Sequence, residues 1–225
     1  MKNILLRVGL ALCLATPLFA QTPPSQSQIA SYEGLLRATH EGDVDEVDHL
    51  IGQGADVDGR GPGGRAPIHV AAFASHDEVL RILANAGADM NALDASAYDV
   101  VTIAAVADDP ELMSLAISLG NDPGLTTSPY DGTALIAAAH LGHVEVVNRL
   151  IEAGAPLDHV NNLHWTAVME AVVLGDGGEN HQAVLDALLT AGANRSLADR
   201  YGRTPLDHAI ALGYSEMVER LNQQQ

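Results

Sequence analysis

Thr133-Ala134-Leu135-Ile136-Ala137-Ala138-Ala139-His140-Leu141-Gly142-His143-Val144-Glu145-Val146-Val147-Asn148-Arg149-Leu150-Ile151-Glu152-Ala153-Gly154-Ala155 is the stretch on which the reading turns. Its first part is short, Ala-rich and helix-prone. Gly142 interrupts it, and residues 143 to 152 then place apolar side chains at Val146, Val147, Leu150 and Ile151. That i, i+3, i+4 spacing predicts an amphipathic helix with one buried stripe. Gly154 supplies its end, because glycine enters the left-handed conformation there without steric cost.

The same pattern recurs in both directions. Gly-Ala or Gly-Asn pairs stand at Gly54, Gly87, Gly120, Gly154 and Gly192, in steps of 33, 33, 34 and 38 residues. A second marker, one apolar residue opening an Ala-rich stretch, recurs at Leu35, Ile68, Val101, Leu135, Val168 and Leu206. Two independent markers on one period imply stacked supersecondary units. None of these units can bury its stripe alone, so stability comes mainly from stacking.

Arg65-Ala66-Pro67-Ile68-His69-Val70-Ala71-Ala72 and Arg203-Thr204-Pro205-Leu206-Asp207-His208-Ala209 resemble the Thr-Pro-Leu-His-x-Ala-Ala signature of the ankyrin repeat family. Gly142-His143-Val144-Glu145-Val146-Val147 and Gly87-Ala88-Asp89-Met90-Asn91 are similar to its other signatures. The resemblance covers about residues 32 to 221 and implies an all-α solenoid of about six helix–turn–helix units, with hairpin-like fingers between them. The units run approximately over 32–60, 61–94, 95–127, 128–161, 162–199 and 200–225. The third is degenerate: Asp99-Val100-Val101-Thr102 replaces the signature, and Asp109-Pro110 opens its second helix with an N-cap and a first-turn proline. The fifth holds five extra residues within Gly175 to Asn180, between its helices. The first lacks a finger, as a capping unit would, and a polar Asn222-Gln223-Gln224-Gln225 end suits the other cap.

Residues 1–20 read as a cleaved signal peptide. Lys2 and Arg7 precede a short apolar core, Val8 to Leu14, and Leu18-Phe19-Ala20 offers a cleavage site. The apolar run is far shorter than the ~20 residues of a spanning helix. Cys13, the one cysteine, falls inside this segment and lacks the small preceding residue of a lipoprotein site. Residues 21–31, with Pro23-Pro24, read as a flexible leader, and residues 32–225 as the repeat domain. A periplasmic or secreted location follows. The 225 residues hold 11 Lys and Arg against 29 Asp and Glu, a formal charge of −18. Such a polyanion is a poor ligand for nucleic acid or for anionic lipid surfaces.

Catalytic chemistry finds little to stand on. His69, His143 and His208 fall at or beside signature positions, where the resemblance implies hydrogen bonding within the turn. His140 and His143 could face one another across a helix start, but no cysteine or suitably spaced carboxylate completes a metal site. Asp56-Val57-Asp58-Gly59 opens like a calcium loop, yet the twelfth place holds Pro67 where a glutamate is required. Gly61-Pro62-Gly63-Gly64 has no following lysine, and no nucleophile elbow is present. The weak remaining option is a cryptic hydrolase or metal-dependent activity at the fifth-unit insertion, with Asp176, Glu179 and His181 as ligands. The expectation is a non-enzyme with no catalytic residue, metal or cofactor.

The aromatic residues are more informative. Tyr98, Tyr130, Trp165 and Tyr201 fall in the fingers of four consecutive units. Arg65 and Arg203 share the slot of Tyr98 and Trp165, while Phe73 and His140 share a slot at the end of the first helix. The family resemblance places these eight on the variable, concave binding surface. Projecting Trp, Tyr and Arg are the residues that dominate binding hot spots. Alternatively, the rings pack over finger turns and fill space between neighbours. Acidic residues in or beside the turns (Asp56, Asp58, Asp89, Asp94, Asp122, Asp131, Asp158 and Asp199) suit turn capping, and would also speed encounter with a basic partner. The sequence therefore predicts a monomeric, exported scaffold that binds a protein partner, as its accessory or its inhibitor. The alternative is a secreted effector that imitates host ankyrin scaffolds.

Overall fold

Alanines three places beyond the apolar markers set the spacing of the structure. In the computed structural model, which describes residues 22–223, Ala38, Ala71, Ala104, Ala138, Ala171 and Ala209 are all buried, one per unit. A methyl group at each of these sites lets the first helices of neighbouring units approach closely. The larger Leu, Val and Met side chains of the second helices fill the layer behind.

Six helix pairs result: α2 (Gly34–Glu41) with α3 (Val44–Gly52), α4 (Pro67–Phe73) with α5 (Asp77–Asn85), and α6 (Val100–Ala107) with α7 (Pro110–Ser118). They continue as α8 (Ala134–Leu141) with α9 (Val144–Glu152), α10 (Ala167–Val173) with α11 (Glu179–Thr190), and α12 (Pro205–Leu212) with α13 (Ser215–Asn222). First helices stack in the order α2, α4, α6, α8, α10, α12. Val146, Val147 and Leu150 are fully buried and Ile151 packs beside them, as the stripe predicts. Gly154 has φ +82°, and the four matching glycines are likewise left-handed.

A short helix, α1 (Gln26–Ala30), precedes the array. It lies within residues 21–31, read above as a flexible leader, and is started by a reciprocal capping box between Ser25 and Gln28. The proposed signal residues 1–20 lie outside the described residues. The insertion in the fifth unit is partly absorbed by lengthening α11 to 12 residues, against 8 or 9 in the other second helices.

Three sets of hydrogen bonds join the units; in one of them the turns after the second helices pair, as where Asn91 accepts the Asp122 amide at 2.8 Å. At the finger tips, Ala95 donates to the Gly63 carbonyl at 2.9 Å, Ser128 to Ala97 at 2.7 Å, and Asn162 to Tyr130 at 2.9 Å. At the start of the second helices, a side chain reaches back to the preceding unit. His76 donates to the His40 carbonyl at 3.0 Å, His143 to Ala105 at 2.9 Å, His181 to His140 at 2.9 Å, and Tyr214 to Gly175 at 3.1 Å. The third unit has no such latch, because Asp109 caps its own helix through the Leu112 amide.

Candidate functional site

Each finger is closed by its own backbone. Asp94, Asn161 and Asp199 donate their amides to the carbonyls of Tyr98, Trp165 and Arg203, at 2.8, 3.0 and 2.8 Å. Their side-chain oxygens accept amides two and four residues on, the hydrogen-bonding habit that suits Asx residues to turns. Ser128 plays this part in the fourth unit, through Tyr130 and Gly132. The finger aromatics therefore sit on rigid turns whose closure does not depend on the rings.

Tyr98, Tyr130 and His140 come together. They line a single recess of about 120 Å³, with Val106, Ile136, Leu141 and Leu163 as apolar walls. Burial, followed by the Asp94 carboxylate and the Tyr130 phenol, raises the pKa of the Tyr98 phenol. The recess has a floor that sequence reasoning missed. Glu170, on α10, is 2% exposed and lines the same space. Its Oε1 accepts a 3.0 Å hydrogen bond from Asn161 Nδ2. Its Oε2 accepts none, although His140 Nδ1 stands 3.3 Å away. The signal was available in the repeat register: the equivalent positions in the three preceding units hold Val70, Ile103 and Ala137.

Tyr201 is 76% exposed and Arg203 lies over its ring at 5.6 Å, so the last finger presents a cationic and aromatic pair to solvent. Trp165 is half-buried on the intervening finger. Beneath Arg203, Asp199 also pairs with His208 Nε2 at 2.9 Å. Burial alone would raise the Asp199 carboxyl pKa. The amides of Arg203 and Tyr201 and the donors of His208 and Arg203 outweigh that effect and hold it well below the usual carboxylate range.

The first finger departs from expectation. Arg65 does not project; it is 7% exposed and its guanidinium reaches the Thr22 carbonyl and, at 3.6 Å, Asp94. It covers Phe73 at 4.8 Å. The leader takes Arg65 out of the row of projecting side chains, while Phe73 is half-buried beneath it.

The histidines serve the fold. His69 is buried, accepts the Ala66 amide at 3.1 Å and bonds the carbonyls of Ala92 and Tyr98 at 3.0 and 3.2 Å. His140 and His143 do not face one another: the first turns to Glu170, the second to Ala105 and Asp108. In the insertion, both His181 nitrogens are engaged, Nε2 on the His140 carbonyl and Nδ1 on Asp176 at 2.9 Å. The Gly178 amide, then His181, lowers the Asp176 pKa. Among the described residues, no group of three or more His, Cys, Asp or Glu is placed to hold a metal ion, and no helix is long and apolar enough to cross a membrane.

Comparison with known proteins agrees with this repeat geometry. The family described as "Ankyrin repeats (3 copies)" matches residues 101–194, and "Ankyrin repeat" matches residues 63–95. The chain is 31% identical over 187 residues to the ankyrin repeat protein YahD of Escherichia coli K12, covering 83% of this chain and 92% of YahD. An ankyrin repeat domain of Acinetobacter baumannii AYE (ABAYE2397) is 40% identical, with a TM-score of 0.78 over 83% of this chain and 95% of that one. A chain in the complex of the Bdellovibrio bacteriovorus predatory endopeptidase Bd0816 with immunity protein Bd3460 shares the fold alone. It has a TM-score of 0.71 at 19% identity, over 87% of this chain and 100% of that one. This fold typically serves as a protein–protein interaction scaffold and is generally non-enzymatic. By its repeat architecture and its likeness to YahD, the chain belongs to the ankyrin repeat family.

Proposed function

We propose that this protein is an exported, non-enzymatic scaffold that binds a partner protein through the face made by its fingers and first helices, as that partner's accessory or inhibitor. The observation that carries the reading is the convergence of Tyr98, Tyr130 and His140 on one recess, together with the exposed Tyr201 and Arg203 on the last finger. The aliphatic core is complete without these side chains. Large amphipathic rings on rigid turns lose little entropy on binding, which is what makes them effective anchors. Export rests on the charge and hydropathy of residues 1–20. The accessory or inhibitory role has a parallel in the complex named above, where an immunity protein is bound to an endopeptidase.

The test is affinity capture from a periplasmic extract at low and high salt, followed by measurement with the purified partner. Trp165→Ala combined with Tyr201→Ala should weaken binding by about 2 kcal/mol, roughly 30-fold, with an unchanged helical signal. Unaltered affinity of the double variant counts against the finger face. A processed chain found outside the producing cell, inside a host or competitor, would favour the effector reading instead.

A further inference from the structure

Resting on the scaffold reading, the recess can be assigned a ligand chemistry. A buried carboxyl group is costly unless its oxygens are paired. Asn161 satisfies one oxygen of Glu170; the other is buried and accepts no hydrogen bond, and the residue lines an open recess. His140 is close to it but out of hydrogen-bonding line. The same recess is lined by two tyrosines, Tyr98 and Tyr130, and by aliphatic walls. Ala137 occupies in the fourth unit the position that Glu170 occupies in the fifth, and its small size leaves the space open.

We propose that this recess receives a basic side chain, arginine or lysine, projecting from the partner protein. The cationic head completes the pairing of Glu170 Oε2, a charge-assisted contact in a water-poor site. Tyrosine faces attract a cation, and the apolar stem of an arginine or lysine matches the Val106, Leu141 and Leu163 walls. The formal charge of −18 draws such a partner in.

The experiment uses the purified protein with N-acetyl-arginine amide and N-acetyl-lysine amide, and N-acetyl-norleucine amide as the neutral control, followed by NMR. The two cations should give saturable shifts centred on Tyr98, Tyr130 and His140, and the control none. Glu170→Gln should weaken them about 10-fold or more. Ala137→Leu, which plugs the recess and keeps the carboxylate, should abolish them; it decides the matter if Glu170→Gln fails to fold. Equal binding of norleucine amide, unchanged affinity of both variants, shifts centred elsewhere, or no saturation overturns the assignment. Self-association lost in Glu170→Gln would place a second copy of the chain in the recess and overturn it too. With the captured partner, loss in Trp165→Ala/Tyr201→Ala but not in Glu170→Gln rejects the anchor and leaves the scaffold standing. Retention by every variant rejects both.

Discussion

The seam between the second and third units and the seam between the fourth and fifth are built from the same motif and held differently. At the later seam, α8 packs on α10, α9 on α11, the fingers bond through Asn162 and Tyr130, and His181 latches onto the His140 carbonyl. At the earlier seam, α5 and α7 pack less closely. A polar cleft opens between Asp77 and Arg81 on one side and Pro110, Glu111, Ser114 and Ser118 on the other. Asp109 fills the slot that His76 and His143 use for reaching back, and spends its side chain on its own helix. What remains across it is the finger side, with His69 on Tyr98 and Ala95 on Gly63, and the turns after the second helices, where Asn91 accepts the Asp122 amide. A repeat array, in other words, can lose one of its fasteners at a seam if the others stay whole.

The largest effect should come from removing the finger-side fastener. His69→Ala empties a buried site and strips three backbone partners at once, and should cost about 3 kcal/mol in chemical denaturation. A cost below about 1 kcal/mol would mean that the fingers are not what holds this seam. Acid probes the same residue. Burial lowers the His69 pKa, outweighing the opposing pull of Asp94 and the Ala92 carbonyl, so the folded imidazole stays neutral. The unfolded chain takes up that proton below about pH 6.5 and the native one does not. His69 therefore contributes fully above that pH, and its contribution is lost as pH falls below it. Melting temperatures from about pH 7.5 to 5 should fall less steeply in His69→Gln than in the parent.

At the latched seam the expected effect is smaller. His181→Ala removes one hydrogen bond to a backbone carbonyl and should cost about 1 kcal/mol. If it matched His69→Ala, the two seams would not differ as described. Smallest of all, Asp109→His would install the missing latch and lose an N-cap, two changes of similar size and opposite sign. Stability should move by no more than about 0.5 kcal/mol, while amide exchange in α7 should slow relative to α9.

The repeat register was legible because each unit needs a left-handed residue after its second helix and a methyl-sized one inside its first. Gly154 and Ala138 announce those needs locally. The roles of His69 and His208 were legible for the same reason. Arg65 was not: its burial depends on Thr22, 43 residues away, and on a leader whose composition suggested disorder. His181 looked like a metal ligand because the inserted residues moved it out of the latch position by count, while α11 grew to bring it back in space. Glu170 stood out only against the aliphatic residues of the three preceding units, and its approach to His140 crosses from one unit to the next.

The turns after the second helices form a ladder. Asp58 accepts the Asp89 amide, Asn91 the Asp122 amide, and Asp158 the Asn194 amide, each at 2.8 or 2.9 Å. Asn91 performs with a neutral oxygen what Asp58 and Asp158 perform with a charged one. The ladder thus requires an acceptor atom but not an ion, and its aspartates could be exchanged for asparagine with the rungs intact. Much of the electrostatic surplus is surplus to the architecture as well: it keeps separate copies of the array apart in dilute salt and fades as counterions gather around it.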